Sequence, residues 1–254
     1  MTELQAPPIG VGQTAIFVAW LRQHESQRPD ALFHDPFSQV MLDTLAGHPA
    51  LAQVSEVIRQ THDSARGFPE YFAVRTRFFD DELAAAMRSG IRQVVTLAAG
   101  LDGRTLRLAC PPGTRWFELD MPDMTVFKDE LIGRSLMAST CDRRGVGADL
   151  TADWPAALRH AGFDPRQPTA WLIEGVLMYL TPKAGDAVVA SLTALSAPGS
   201  RLMLEQLQAM MLGDEGKPAR DRVESQGARW LSARDDLRPW LADHGWDASV
   251  YSGA

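Results

Sequence analysis

Two short patterns in the middle of the chain carry the residue types needed to hold a nucleoside. Ala99-Gly100-Leu101-Asp102-Gly103-Arg104 sets small residues ahead of a helix start, where backbone amides are exposed and a ligand can approach the main chain closely. About 20 residues later Glu118-Leu119-Asp120 ends in a carboxylate, the spacing at which an acid reaches the paired hydroxyls of a ribose. Further on, Asp149-Leu150 suits an adenine edge. Glu174, opening Glu174-Gly175-Val176-Leu177-Met178-Tyr179-Leu180, falls where a group donor and its acceptor would meet. Each feature has a plainer reading: a strand-to-helix turn for the glycines, an N-cap ahead of Pro122 for Asp120, a turn for Asp149 and a solvated strand end for Glu174. Their joint occurrence in this order makes the pattern specific.

All four follow directly on segments that read as strands. Residues 93–98 form a short, nearly continuous apolar run, the signature of a parallel strand covered on both faces. Residues 115–119, 145–148, 170–173 and 201–204 are the other strand candidates, and helical segments at 124–137, 154–160 and 182–195 separate them. The last helix is opened by Thr181 as N-cap with Pro182 at its first position. This alternation predicts an α/β fold with a doubly wound parallel sheet, whose ligand crevice lies at the carboxyl ends of the strands. Ahead of it, residues 13–88 read as helical. Apolar spacing appears in Ala15-Ile16-Ala19-Trp20 and Leu51-Val54-Val57-Ile58, with loops at Arg28-Pro29-Asp30 and Gly47-His48-Pro49. The expected organisation is an N-terminal helical cap over residues 1–90 and a Rossmann-like domain over residues 91–254, together one structural unit.

Composition narrows the function. The formal net charge of −7 argues against a protein that binds by neutralising phosphates, so no nucleic-acid partner is expected. Cys110 and Cys141 are too few for a disulfide framework or a structural zinc site, which fits a reducing cytoplasm, and no metal is expected. The first residues lack a basic leader pattern, and no stretch reaches the ~18 consecutive apolar residues of a membrane span, so no membrane partner is expected either.

A nicotinamide dinucleotide would satisfy part of the pattern, but the chain has no G-x-G-x-x-G and its first strand begins far from the N-terminus. A nucleoside-sulfonium cofactor has no pyrophosphate to cradle. It needs a ribose acceptor, an adenine contact and a clamp for its amino-acid carboxylate, and an arginine fork is the natural clamp. Arg75 and Arg77, in Tyr71-Phe72-Ala73-Val74-Arg75-Thr76-Arg77-Phe78-Phe79-Asp80, are the candidates.

The segments 74–80, 97–104, 117–122 and 174–180, together with Leu32-Phe33-His34-Asp35-Pro36-Phe37, resemble the leucine carboxyl methyltransferase family. The bacterial branch, similar to tetracenomycin-type polyketide O-methyltransferases, is the nearest match, and the likeness spans roughly residues 13–205. The resemblance implies a class I methyltransferase fold and S-adenosyl-L-methionine as cofactor. It implies that Arg75 holds the cofactor carboxylate, that Ala99 and Gly100 pack under the methionine part and that Asp120 takes the ribose hydroxyls. It further implies that Asp149 and Leu150 contact adenine and that Glu174 lies near the amino group. The implied reaction is O-methylation of a carboxylate or hydroxyl on a small molecule, with polyketide-like metabolites among the acceptors. The alternatives are a nicotinamide-dependent oxidoreductase and a methyltransferase-fold protein that binds the cofactor without transferring methyl.

A carboxylate acceptor is already a nucleophile at neutral pH, so no catalytic base is nominated. His24, His34, His48 and His62 read as surface or capping residues. Trp20, Phe72, Phe79, Met178 and Tyr179 are candidates for an apolar acceptor wall. The C-terminal region departs from the family: the sequence stops at residues 246–254 soon after one possible strand, so the last hairpin of the usual sheet is expected to be shortened or missing.

Overall fold

The apolar runs around Val94-Val95 and Trp171-Leu172-Ile173 can be buried only inside a sheet covered on both faces, and that is where they lie. The computed structural model describes residues 11–48, 51, 68–225 and 227–252. Val54, Val57, Ile58 and His62 fall outside the described residues. Five strands, β1 (Gln93–Leu97), β2 (Arg115–Asp120), β3 (Asp142–Gly147), β4 (Thr169–Ile173) and β5 (Arg201–Leu204), form one sheet of order β3-β2-β1-β4-β5. Every pairing is parallel. β1 and β4 are buried at every position, as central strands must be. The chain winds outward from β1 in both directions, so the topological switch point lies between β1 and β4.

Among the described residues, three helices precede the sheet: α1 (Val11–Ser26), α2 (Pro36–Thr44) and α3 (Phe68–Arg88). Asp35 caps α2, its side chain accepting from the Ser38 amide at 3.3 Å. Within and after the sheet come α4 (Arg104–Arg107), α5 (Pro122–Ser135), α6 (Trp154–His160), α7 (Pro182–Ala194), α8 (Lys217–Ser225) and α9 (Leu237–Asp243). Thr181 caps α7 by accepting from the Ala184 amide with Pro182 at the first position, as its sequence predicts. Asp153 caps α6 in the same way.

Side chains alternate across β1. Val95 and Leu97 face a cluster with Phe117, Trp171, Leu192 and Trp240, and Val94 faces Phe79, Leu83 and Met87 of α3. Helix α3 therefore covers one face of the sheet. A third cluster joins Ile16 and Leu21 of α1 and Phe37 and Met41 of α2 to Phe127 and Leu131 of α5 and to Leu101.

Two expectations are corrected. β3 starts at Asp142, ahead of the expected residue 145, because Asp142-Arg143-Arg144 sits at a sheet edge with only Val146 of the strand buried. Pairing with β2 fixes this strand, and an apolar run is not needed. No strand follows β5 among the described residues. The one possible strand expected shortly before the end of the chain is not formed, and residues 246–252 are irregular chain. Trp246 docks on α7, its Nε1 donating to Thr193 Oγ1 at 2.7 Å, and Ala248 packs on the core. Among the described residues no helix is long and apolar enough to cross a membrane.

Candidate functional site

The loop after β1 is shaped by two residues in the left-handed region, Ala98 at φ 53° and Gly100 at φ 46°. For an alanine this conformation costs about 1–2 kcal/mol, a strain that the fully buried β1 must hold in place. The turn puts the Gly100 amide against the end of β2, where it donates to Asp120 Oδ2 at 2.6 Å, while the Met121 amide donates to Oδ1 at 2.8 Å. The N-cap position of α5 belongs to Met121, so Asp120 is a tie between β2 and the glycine loop. Burial pushes the Asp120 carboxyl above its ordinary value, opposed by these two amides. Each carboxylate oxygen still has acceptor capacity for a hydroxyl.

The loop's smallness also serves the helices above it. A Cβ on Gly103 would stand 2.5 Å from Asp35 Oδ1 and 3.1 Å from Phe37 Cβ, and one on Gly100 would stand 3.3 Å from Ala15 Cβ. Both glycines thus admit the close approach of α1 and of the α2 N-terminus.

Beside the loop lies a buried network of charges. Arg104 is fully buried and extends its fork to Asp80 Oδ1 at 2.6 Å, Asp102 Oδ2 at 2.7 Å and Glu174 Oε2 at 2.6 Å. Arg75, one helical turn before Asp80 on α3, donates from Nη1 to both oxygens of Glu205 at 3.0 Å. Its Nε stands 2.9 Å from Glu174 Oε1. Arg107 completes the set by pairing with Asp80 at 2.6 Å, and Arg22 donates to the Leu101 carbonyl at 3.2 Å. Tyr71 donates to Glu205 Oε1, and the Gly175 amide, at φ 70°, donates to Glu205 Oε2 at 2.9 Å. Arg75 lies over the Phe72 ring at 4.3 Å.

Arginines and carboxylates balance within this network, which is what allows so many charges to leave water together. Burial alone would raise the Glu174 carboxyl, yet Arg104 and Arg75 hold it below its ordinary range. Burial likewise opposes the ionised form of Asp102, and Arg104 and Arg22 outweigh it. Glu174 Oε1 is buried and receives no aligned hydrogen bond, and its contact is the ion pair with Arg75 Nε.

The structure brings Ala99, Gly100 and Asp120 together at the ends of β1 and β2, and Arg75 together with Glu174 just beyond the end of β4. Asp149 is exposed and folded into a local turn, its Oδ1 accepting from both the amide and the hydroxyl of Thr151 at 2.8 Å. Leu150 packs partly buried on the core. The two clamp candidates separate clearly. Arg77 points outward to Asp81 at 2.8 Å and the Leu32 carbonyl at 3.0 Å, whereas Arg75 points at the strand-end acids. Phe79 is committed to the core under the sheet, and His24 stacks on Trp20 with 5.3 Å between ring centroids.

Several members of the site went unassigned by sequence, among them Arg104, Glu205 and Tyr71. Glu205 immediately follows β5, so the rule that picked out Asp120, Asp149 and Glu174 also reaches it. Arg104 sits inside the glycine pattern, but nothing in its spacing marks three acidic partners. Among the described residues there is no group of three or more His, Cys, Asp or Glu side chains able to hold a metal.

A parallel sheet of this order with an acid at the end of β2 and another beyond β4 defines the class I methyltransferase fold. Residues 15–193 match the family model of leucine carboxyl methyltransferase, and the chain belongs to that family. A relative from Parafrankia sp. (strain EAN1pec), provisionally named an S-adenosyl-L-methionine-dependent methyltransferase, is 42% identical over 93% of this chain and 77% of its own length. One from Mycolicibacterium gilvum (strain PYR-GCK) with the same description is 44% identical over 94% of this chain and 84% of its own. In fold, the chain is similar to a Thermobifida fusca protein provisionally described as a methyltransferase, with a TM-score of 0.60 at 20% identity over 94% of this chain and 82% of that one. It is also similar to a DUF574 family protein from Streptomyces avermitilis, with a TM-score of 0.58 at 16% identity over 89% and 80%. The nicotinamide-dependent alternative is set aside by the family membership.

Proposed function

We propose that the protein transfers a methyl group from S-adenosyl-L-methionine to an oxygen of a small molecule, a carboxylate or a hydroxyl, with polyketide-like metabolites among the acceptor classes. The observation that carries this reading is Glu174 beyond the end of β4, held ionised between Arg75 and Arg104 next to the Gly100–Asp120 tie. The curated relatives' descriptions support the donor, and the family description, a carboxyl methyltransferase, supports an oxygen acceptor.

The residues fit a nucleoside sulfonium in most respects. Asp120 retains acceptor capacity for the ribose hydroxyls, and Ala99 and Gly100 offer a small surface for the methionine part. Glu174 Oε1, which receives no aligned hydrogen bond, suits an ammonium group. Asp149 and Leu150 would meet the adenine edge. Arg75 would take the carboxylate, sharing its fork with Glu205, which already occupies Nη1. When bound, the cofactor supplies an electrophilic methyl carried on a positively charged sulfur.

The chain's own part is orientation and dryness. Displacement at a methyl group is an in-line event, so alignment of donor and acceptor in a water-poor crevice can supply most of the acceleration. Arg104 acts as a positioning residue by fixing the Glu174 carboxylate. A carboxylate acceptor would arrive ionised and require no proton transfer. In this reading residues 1–90 form a cap that closes over residues 91–254 as one structural unit, and the protein works in the cytoplasm on a small molecule, without nucleic acid or membrane.

The test pairs calorimetric titration of S-adenosylhomocysteine with transfer of labelled methyl to a panel of small carboxylic acids and phenols. Binding, with label recovered on oxygen, is the expected result. Label released by mild alkali marks an ester and alkali-stable label marks an ether. No binding at millimolar ligand, or label found only on nitrogen or carbon, overturns the proposal.

A further inference from the structure

The chain contains two cysteines, Cys110 and Cys141, and the fold brings them together at the end of the sheet away from the crevice. Cys110 lies in the connection from α4 to β2, and Cys141 directly precedes β3. Backbone hydrogen bonds pin these two segments on either side of the pair. The Thr140 amide donates to the Thr105 carbonyl at 2.9 Å, and the Asp142 amide donates to the Thr114 carbonyl at 3.0 Å. Between these ties the Thr140 hydroxyl donates to Cys110 Sγ at 3.4 Å, which sets Cys110 beside the residue next to Thr140, Cys141. Both side chains are half-buried against the cluster containing Trp116 and Met87, so the sulfurs are held in place and remain accessible.

We infer that Cys110 and Cys141 form a reversible dithiol/disulfide site, in which Cys110 attacks and Cys141 resolves. Two roles follow from the asymmetry of the pair. The neighbouring Cys141 side chain brings the Cys110 thiol down to about 7, against the effect of burial, which favours its thiolate near neutral pH. The proximity of Cys110 pushes the Cys141 thiol up, as does burial, and keeps Cys141 protonated until its partner has reacted.

The step is a thiol–disulfide exchange with a low-molecular-weight disulfide as oxidant. The Cys110 thiolate attacks one sulfur of that disulfide, a mixed disulfide forms on Cys110, and one small thiolate leaves. Cys141 loses its proton to solvent and attacks Cys110 Sγ. The internal S–S bond forms as the second small thiolate leaves. The two protein thiols are thereby oxidised by two electrons, and the small disulfide is reduced to two thiols. The bond would close a loop containing β2, Asp120 and α5, tying the strand that carries the candidate ribose acid to the base of β3.

The experiment treats the full chain with glutathione disulfide at pH 7.5. It then counts remaining thiols and maps disulfides by mass spectrometry of unreduced peptides. The expected result is loss of both thiols with one internal Cys110–Cys141 linkage in a monomeric chain, reversed by dithiothreitol. The oxidised form should melt several degrees higher, as expected for a cross-link closing a loop of this length. Cys141→Ser should stop at the glutathione adduct on Cys110, and Cys110→Ser should react at least tenfold more slowly. Circular dichroism of both variants keeps the readings tied to folded protein. Independent glutathione adducts on both cysteines, linkage between chains, or equal reactivity of the two variants overturns the inference. None of these readouts depends on methyl transfer or cofactor binding.

Discussion

Arg104 and Glu174, from the start of α4 and just beyond the end of β4, meet at 2.6 Å with the guanidinium fully buried. The pair joins the glycine loop to the strand on the other side of the switch point. Because Glu174 also faces Arg75, an arginine that need touch no ligand sets the orientation of that strand-end acid.

Replacing Arg104 with methionine keeps the stem packed but strands Asp80, Asp102 and Glu174 without their common partner. Breaking a buried ion pair from one side costs roughly 3–5 kcal/mol, and that is the loss expected in urea unfolding at pH 7. Arg104→Lys keeps the charge and should recover only part of it, because an ammonium cannot reproduce the fork. A loss below about 1 kcal/mol for Arg104→Met would mean that the network relaxes around the gap.

Acid should act through the same acids. Glu174 and Asp102 ionise more readily in the folded protein than in the unfolded chain, where they titrate near 4.3 and 3.9. Their stabilising contribution is therefore complete above those unfolded values, and it is lost as the pH falls through the lower folded values. Stability measured from pH 6 to pH 3 should fall more steeply in the parent than in Glu174→Gln, which has no such proton to gain. Parallel curves would remove Glu174 from the acid response.

Asp120 behaves in the opposite sense, since burial raises its carboxyl. Folding favours its protonated form, so its ionic form is tolerated at neutral pH at some cost to stability, and that cost fades as the pH drops. Asp120→Asn keeps one acceptor oxygen for the Gly100 amide and should leave the fold near its parent stability. Affinity for S-adenosylhomocysteine should nevertheless fall at least tenfold, or about 1.4 kcal/mol, through loss of the ribose carboxylate. Unchanged affinity by calorimetry would displace Asp120 from that role.

The glycine loop offers a test of sign. Ala98→Gly relieves a left-handed alanine at the entropic expense of a glycine, and a net gain of about 0.5–1 kcal/mol is expected. Gly103→Ala forces a methyl group toward Asp35 and Phe37 and should destabilise by about 1–3 kcal/mol. Thermal melts of the two variants should move in opposite directions.

How much of this was readable beforehand depended on where the physics was local. β1 and β4 announce themselves because strands covered on both faces must be apolar throughout, and α7 because Thr181-Pro182 is a start signal needing no tertiary context. β3 began out of sight because an edge strand bearing Asp142-Arg143-Arg144 is defined by its neighbour's hydrogen bonds. The absence of a strand after β5 among the described residues was not visible either, since Trp246 docks on α7 only in the fold, with Thr193 as its hydrogen-bond partner. The placement of Asp120 at the end of β2 and of Glu174 just beyond β4 was legible from position alone. The partnership of Glu174 with Arg104, and of Arg75 with Glu205, was not, since these residues come from segments far apart in sequence that only the folded sheet brings together.

The space that Gly103 leaves for Asp35 has an evolutionary reading. The two positions are distant in the chain yet share one small volume, so neither can change size alone without disturbing the entry to α2. Related sequences that carry a larger residue at the position of Gly103 should carry a shorter one at the position of Asp35, and that exchange would record the contact between the N-terminal helices and the loop in the pattern of substitutions itself.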